Sequence, residues 1–597
     1  MQNNSFPMRE NMVKNFSKRI IATVCTLSMT AGVFTINSGT TAAAAGIKGS
    51  QKSEGTKKEF PLYIADTESN EDIELYFFDK SNSVPYISVK NTGYLLKQIG
   101  DYLGYPDKYD FEYSEEGSKA TLTRETDYSM IVDADKDTIN FLDYDAFMMP
   151  PNSVRLIDML GEFEENDEGT TELFMHSDYA YERYGDEITL NLSDYDIDIV
   201  RTDKGYFLPL ATVGDFLVSP TYLNILYNEE SVIIMPYMGF IDDDDNITRL
   251  GELYYSGYNE ELSEEMAAFS YNELCLAMDH LYGLKDIHGI KDFDTLFDNT
   301  GIKEGMLSTD PNDVDNSLNE LLTVHIDDLH TIFLAPTYAN GKVEFDEAEG
   351  SADLIYNMIE EKFGAVRERY YPKGVPFYEE IGNTAYITFD SFTPAVPGLD
   401  YYRKKPTEAS DDTIGIMLYS FSQITRKNSP VKNVVLDLSM NVGGNIQSAS
   451  FVVGMFLGLG RYSIRNTMTG ALTTDFFYVD ANLDHKYNEK DYLSDYNLYC
   501  IESPLSFSCG NFVPCIFKSS HMVTLLGQTS GGGSCAVLPM SSAAGQIFQM
   551  SSPYQLSFVK NGSFYDIDRG AEPDYYISNP DNYYDRKKLT DYINSLY

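Results

Sequence analysis

Val434-Val435-Leu436-Asp437-Leu438-Ser439-Met440-Asn441-Val442-Gly443-Gly444-Asn445 runs from a continuous apolar segment into paired glycines. A second apolar segment, Gln447–Leu457, follows at helical spacing. A short unbroken apolar run bounded by a turn signal reads as a strand buried on both faces. The whole is therefore a strand, a Gly-Gly turn and a helix. The same alternation extends outward. Ala385-Tyr386-Ile387-Thr388-Phe389 reads as a strand and Thr413–Arg426 as a helix. Leu498–Ile501 reads as a strand, a helix follows Ser508, and Val523–Leu526 reads as another strand. Such alternation predicts α/β layering over 376–597, with chemistry at strand ends and in the turns that lead into helices.

Two of those places, and one stretch upstream of them, carry reactive residue types. At the Gly-Gly turn, Gly443 and Gly444 allow backbone N–H groups to approach a ligand, and the helix start favours negative charge, which makes an oxyanion hole. An ordinary βα turn is the alternative. Ser503-Pro504-Leu505-Ser506-Phe507-Ser508-Cys509-Gly510-Asn511 lies between a strand and a helix, so Ser508 is either an exposed nucleophile or a helix N-cap. Asp327-Asp328-Leu329-His330-Thr331 follows a helical segment. The chain has seven histidines, and the ordinary imidazole pKa suits proton transfer near neutrality. A lone structural histidine is the competing reading.

Together these pieces resemble the tail-specific, or C-terminal-processing, serine peptidase family, and more closely its tricorn-core-like branch. Asp328-Leu329-His330-Thr331 matches the family's Asp-Gly-His-Thr-like run, and Asp437-Leu438-Ser439-Met440-Asn441-Val442-Gly443-Gly444 its Asp-Leu-Arg-x-Asn-x-Gly-Gly strand end. Leu526-Gly527-Gln528-Thr529-Ser530-Gly531-Gly532-Gly533 and Gly570-Ala571-Glu572-Pro573-Asp574 match two later runs. The resemblance covers roughly residues 258–590. It implies a crotonase/ClpP-like layered peptidase core with a helical segment and an N-terminal α+β, strand-rich domain before it. It also implies Ser508 as nucleophile, His330 as general base, Glu572 as the group orienting the histidine, and Gly443, Gly444 and Cys509 as oxyanion donors. For Glu572 a solvated surface acid is the alternative.

Four departures from the pattern shape the reading. The lysine that serves the processing branch about 25 positions beyond the serine is replaced here by Gly533, which leaves the proton to His330. Leu329 stands where the family has a small residue, and Ser439 where it has an arginine. No PDZ domain fits in the roughly 55 residues between His330 and the strand near Tyr386. The expected function is peptide-bond hydrolysis through an acyl-enzyme, with no metal or organic cofactor. A catalytically inactive peptide- or ligand-binding protein on the same scaffold is the alternative, and a Cys509 nucleophile is a third reading.

Upstream, 258–372 reads as a helical segment carrying the base, with Leu274, Met278, Leu281, Leu318, Leu321, Leu322 and Ile326 at helical spacing. Residues 59–245 alternate short strands with two helix candidates, a pattern weakly similar to copper amine oxidase N-terminal-like modules; a generic α+β domain reads equally well. Asp133, Asp135 and Asp137 open like a calcium loop, but Thr138 replaces the turn glycine and Tyr144 the closing glutamate. Residues 46–58 read as a linker. In 1–45, Lys14, Lys18 and Arg19 precede the apolar Ile20–Ile36 stretch and the small residues Thr41–Ala45, the pattern of a secretory signal; a membrane anchor is the alternative.

The 597 residues allow two to four domains at roughly 150 each. With 44 Lys+Arg against 92 Asp+Glu, the net charge of −48 argues against a phosphate-backbone partner, which needs a cationic surface. A peptide or protein substrate and no nucleic acid are therefore expected, with no transmembrane span after signal removal and a secreted or wall-associated location. Five cysteines follow residue 45; the odd number and absence of Cys-x-x-Cys point to buried thiols, not a disulfide framework or zinc.

Overall fold

A computed structural model describes residues 55–65, 67–68, 72–104, 109–125, 127–148, 172–177, 181–237, 244–257, 259, 261–340, 350–396 and 398–596. The signal pattern and most of the linker lie outside these residues. The protein is a mixed α/β structure with a strand-rich N-terminal region.

The Asn433–Asp437 strand lies third in a six-stranded sheet, after Tyr378–Ile381 and Thr384–Thr388 and before Asn497–Glu502, Val523–Gly527 and Tyr575–Tyr576. Its pairs are parallel except for the first. All five residues of Asn433–Asp437 are buried, because helices cover both faces. Val434 and Leu436 pack toward the Ile446–Leu457 and Cys509–Ser520 helices, whereas Val435 packs toward Ser351–Tyr370 and the C-terminal helix. The crossover helices start at side-chain caps: Asp412 accepts from Gly415 N and Asn445 from Ser448 N.

Asp437, at the strand's end, is buried and accepts from Ser439 N at 2.9 Å. Arg586 Nη2 reaches it from the C-terminal helix at 2.5 Å. The guanidinium also donates to Thr388 Oγ1 and Tyr583 O and lies 4.4 Å from the Tyr386 ring centre. Ser439 Oγ bonds Tyr584 OH at 3.1 Å. The Asp437–Ser439 part of the motif is thereby spent on anchoring the C-terminus beneath the Gly-Gly turn.

A second, eight-stranded sheet is built on the 14-residue Ile547–Lys560 strand. Gly460–Asn466, Cys535–Ser541, Ser563–Tyr565 and Ile332–Ala335 all pair with it antiparallel. Ile332–Ala335 lies in the segment expected to be helical. The helices Glu264–Leu281, Phe293–Thr300 and Pro311–Glu320 are present, but after a π turn at Leu321–Ile326 the chain straightens into this strand. Pairing of Ile332 with Gln549 carries residue 330 to the core.

Upstream, two five-stranded sheets and a four-stranded one share a continuous apolar core with the Glu264–Leu281 helix and with Leu538, Met540, Phe548 and Met550 of the second sheet. The Asp133–Asp137 stretch is a hairpin turn: Asp133 Oδ1 accepts from Ser118 Oγ and Asp137 Oδ1 from Ile199 N. Among the described residues no group of three or more His, Cys, Asp or Glu could hold a metal ion, and no helix is long and apolar enough to cross a membrane. Cys275, Cys500, Cys509, Cys515 and Cys535 are buried, and no disulfide forms among the described residues.

Where the N-terminal region meets the Glu264–Leu281 helix, Asp215 and Glu273 face each other, both buried. Asp215 Oδ1 and both Glu273 oxygens lack any other partner. Two carboxylates cannot both be charged there without a cation, so the pair holds a proton. Desolvation, then mutual repulsion, raises Asp215; desolvation raises Glu273. The unfolded chain releases these protons near the ordinary carboxylate range and the folded chain only above it. Stability is therefore expected to be greatest at or below about pH 4.5 from this pair and to fall as pH rises through the raised values. Thermal unfolding between pH 4.5 and 9 should show a shallower decline for Glu273→Gln than for the unaltered protein; parallel curves would refute the shared proton.

Candidate active site

The nucleophile turn begins where Asn497–Glu502 ends. Ser503 Oγ donates to Ser439 O at 2.5 Å and Ser506 Oγ to Leu438 O at 2.7 Å, which ties the turn to the end of the neighbouring strand. Gly531 N donates to Ser506 O at 2.7 Å and Ser508 N to Gly532 O at 2.9 Å, clamping the turn from its other side. Between these clamps Ser508 is held at φ 52°, ψ −123°, a conformation that a residue with a side chain rarely adopts. It occupies the N-cap position of Cys509–Ser520, yet its side chain makes no capping hydrogen bond. Ser508 is half-buried. The backbone is thus strained in a way that presents the hydroxyl instead of consuming it.

The Gly-Gly turn lies against this serine. Asn441 fixes it: Asn441 Nδ2 donates to Phe389 O at 3.0 Å, and its Oδ1 accepts from Gly443 N at 3.0 Å. Gly443 and Gly444 have φ of 106° and 120°. A Cβ on Gly443 would stand 2.6 Å from Ser508 Cβ and 3.1 Å from Cys509 N. Only glycine permits that approach. Of the two glycine donors expected from sequence, Gly443 N–H is occupied by Asn441, whereas Gly444 N–H has no partner among the described residues. Gly444 with Cys509 is therefore the better-placed donor pair. Gly443→Ala is expected to lower the rate at least roughly a hundredfold, the scale of losing an oxyanion donor, because the methyl displaces Ser508 from the Cys509 amide. Measuring the rate of covalent labelling of Ser508 checks this.

His330 comes to the same place from 178 positions upstream. Asp328 caps the turn, its Oδ1 accepting from His330 N at 3.2 Å and its Oδ2 from Thr331 Oγ1 at 2.6 Å and Tyr282 OH at 3.3 Å. Gln549 Nε2 donates to His330 O at 2.9 Å. The imidazole packs edge-on against Phe507, the neighbour of Ser508, with ring centres 4.8 Å apart. Leu329 joins Phe507 in a small apolar cluster, so its bulk serves the contact that seats the histidine. The ring is buried, which holds its pKa below the ordinary value; the Asp328 charge opposes this less strongly. Nδ1 is buried with no hydrogen-bond partner, and no hydrogen bond joins the imidazole to Ser508 among the described residues.

Glu572 is exposed, and no hydrogen bond or ion pair joins it to His330 among the described residues. Its run is structural through another member: Asp574 accepts from Leu525 N at 2.9 Å and pairs with Lys518, so Lys518 is committed far from a base's role. The carboxylate near the histidine turn is Asp568, which sequence reading passed over. It is buried, accepts from Ser534 N at 3.0 Å, and has its pKa raised by burial, with the Asp328 charge adding to it. Its only sequence signal was its position two residues before Gly570.

Residues 383–577 match the model of peptidase family S41. The match contains Ser508, Gly443 and Gly444 and begins after His330. No curated protein matches the chain. Among solved structures, a candidate peptidase from Parabacteroides merdae is 14% identical, with 55% of this chain and 96% of that one covered and a TM-score of 0.38. A lipoprotein from Streptococcus agalactiae is 13% identical over 56% of this chain and 96% of its own, with a TM-score of 0.33. The photosystem II D1 C-terminal processing protease is 15% identical over 33% of this chain and 42% of its own, with a TM-score of 0.25.

Proposed function

We propose that this chain, whose residues 383–577 match peptidase family S41, hydrolyses peptide bonds through an acyl-enzyme on Ser508. In this reading His330 takes the serine proton on attack and returns it to the leaving amine. The Gly444 and Cys509 amides receive the oxyanion, and no cofactor takes part. The observation that carries the proposal is the state of Ser508: a strained, positive-φ residue at a helix start whose hydroxyl is not used for capping. A serine kept only as a cap would have ordinary extended backbone and a bond to the helix. Burial of His330 supports its role as base, since the neutral form is the competent one.

One observation favours the second reading, an inactive peptide binder. His330 Nδ1 has no acceptor to fix its tautomer, and a base without an orienting partner is a weaker base. A fluorophosphonate probe separates the two. Covalent modification located on Ser508 by mass spectrometry supports the peptidase; an unmodified, folded protein that binds peptide saturably supports the binder. The pattern in residues 1–45 adds the proposal that the protein is exported, tested by whether the mature chain begins near residue 46.

A further inference from the structure

The peptide unit that joins Gly443 to Gly444 carries the proposed oxyanion donor at one end and is gripped by its other end. Phe392 N donates to Gly443 O at 2.7 Å, and Ser391 Oγ donates to the same oxygen at 3.2 Å. Asn445 N donates in turn to Phe392 O at 2.8 Å, so that Phe392 and Gly444 form an isolated parallel bridge. A Cβ on Gly444 would stand 2.5 Å from Phe392 O and 3.0 Å from Ser391 Oγ, whereas one on Gly443 would meet Ser508. The paired glycines therefore lie between the Ser391–Phe392 segment on one side and the nucleophile on the other.

Ser391 is itself held in place by its backbone. Its carbonyl accepts from Thr413 Oγ1 at 3.4 Å, and the same Oγ1 accepts from Thr393 N at 2.8 Å. Thr413 is fully buried and opens the Thr413–Ile424 helix. On the other side Val442 N donates to Asp390 O at 2.9 Å. The segment is thus fixed before and after Ser391, although Ser391 is exposed.

We infer that Ser391 is a positioning residue for the oxyanion donor. A peptide unit is planar, and in the trans form its C=O and N–H point in opposite directions. Two donors on Gly443 O therefore aim Gly444 N–H away from Ser391 and Phe392, toward the side on which Ser508 stands. Flanked by two glycines, this unit would otherwise turn over at little steric cost. The Phe392 amide sets the direction of the carbonyl, and the Ser391 hydroxyl, approaching the same oxygen from a second atom, resists its rotation. Donors on the carbonyl also polarise the unit and strengthen donation from its N–H. The inference rests on the proposed role of Ser508 and deepens it.

The test is fluorophosphonate labelling of Ser508 in the full protein, with kinact and KI measured separately, in Ser391→Ala, Ser391→Thr and Ser391→Cys. Ser391→Ala should lower kinact by about fivefold, the scale of one hydrogen bond, with KI unchanged. Its acid limb between pH 5 and 8 should match that of the unaltered protein, because His330 is untouched. Ser391→Thr keeps the hydroxyl and should restore kinact to within about twofold. Ser391→Cys keeps the volume but has only a weak donor, so it should be as slow as Ser391→Ala. A threonine variant as slow as the alanine one, a cysteine variant as fast as the unaltered protein, or a loss carried by KI overturns the positioning role and leaves the peptidase reading intact. No labelling of Ser508 in the unaltered protein overturns both.

Discussion

Replacing Ser508 by glycine is expected to give a protein that is inactive and more stable. Loss of the hydroxyl removes the nucleophile, and the turnover rate should fall on the order of a million-fold, as it does when a triad member is deleted. The stability change is the less ordinary part. At φ 52° and ψ −123° a residue with a Cβ carries roughly 1–3 kcal/mol of backbone strain. Glycine relieves it and gives back roughly 0.5–1 kcal/mol as the entropy of a freer unfolded chain. A net gain of about 1 kcal/mol remains. Ser508→Ala, equally inactive, keeps the Cβ and should show no such gain. Thermal or denaturant unfolding of the two variants measures the difference. A Ser508→Gly variant that is no more stable than Ser508→Ala would mean that the turn is not strained and that the presentation of the hydroxyl has another cause.

That strain marks the boundary of what sequence could reveal. The position of Ser508 between a strand and a helix was legible from residue pattern, but its backbone angles were not, because no residue in the turn is a glycine announcing positive φ. The central sheet was legible because Val434–Leu438 is apolar without interruption, as a strand covered on both faces must be. The second sheet was not. Its long strand, Ile547–Lys560, is buried over most of its length yet contains Gln549, Ser551, Ser552, Gln555 and Ser557. The alternation of Phe548, Met550, Tyr554, Leu556 and Phe558 with Gln549, Ser551, Gln555 and Ser557, interrupted at Ser552-Pro553, reads as a strand with one solvent face and does not announce the burial of its polar residues. They are tolerated because several find partners that exist only in the fold: Gln549 donates to His330 O and Ser557 Oγ to Tyr565 O. The same hidden strand explains why the sequence pattern places Ile332–Ala335 within a helical segment and the fold does not. Apolar residues at helical spacing end at Ile326, and only the edge offered by Ile547–Lys560 draws the next residues into a ladder. At the site, the motif drew attention to Glu572 because it lies inside a recognisable run, whereas burial singles out Asp568, whose hydrogen-bond partner Ser534 and neighbouring charge Asp328 are both distant in sequence.

His330 yields the second large effect. His330→Ala is expected to lower turnover by roughly 10⁴- to 10⁶-fold, with substrate binding little changed, because the imidazole acts on the proton and not on the peptide. Its pH signature is distinct. Burial against Phe507 disfavours the imidazolium, so the competent neutral form persists below the ordinary value of 6.5. The acid limb of activity should therefore have its midpoint below pH 6.5. The same shift has a consequence for stability, with its sign fixed by linkage: between the folded pKa and 6.5 the unfolded chain binds a proton that the folded chain refuses, so stability falls as pH drops through that window. His330→Gln removes the titrating group and should abolish both effects, flattening the acid side of the stability curve while leaving the protein inactive. Leu329→Ala tests the cause: it trims the cluster that seats the ring beside Phe507, admits water, and should move the acid limb back toward pH 6.5. An acid limb that stays fixed in Leu329→Ala would locate the shift elsewhere, and an acid limb that survives in His330→Gln would exclude this histidine as the base.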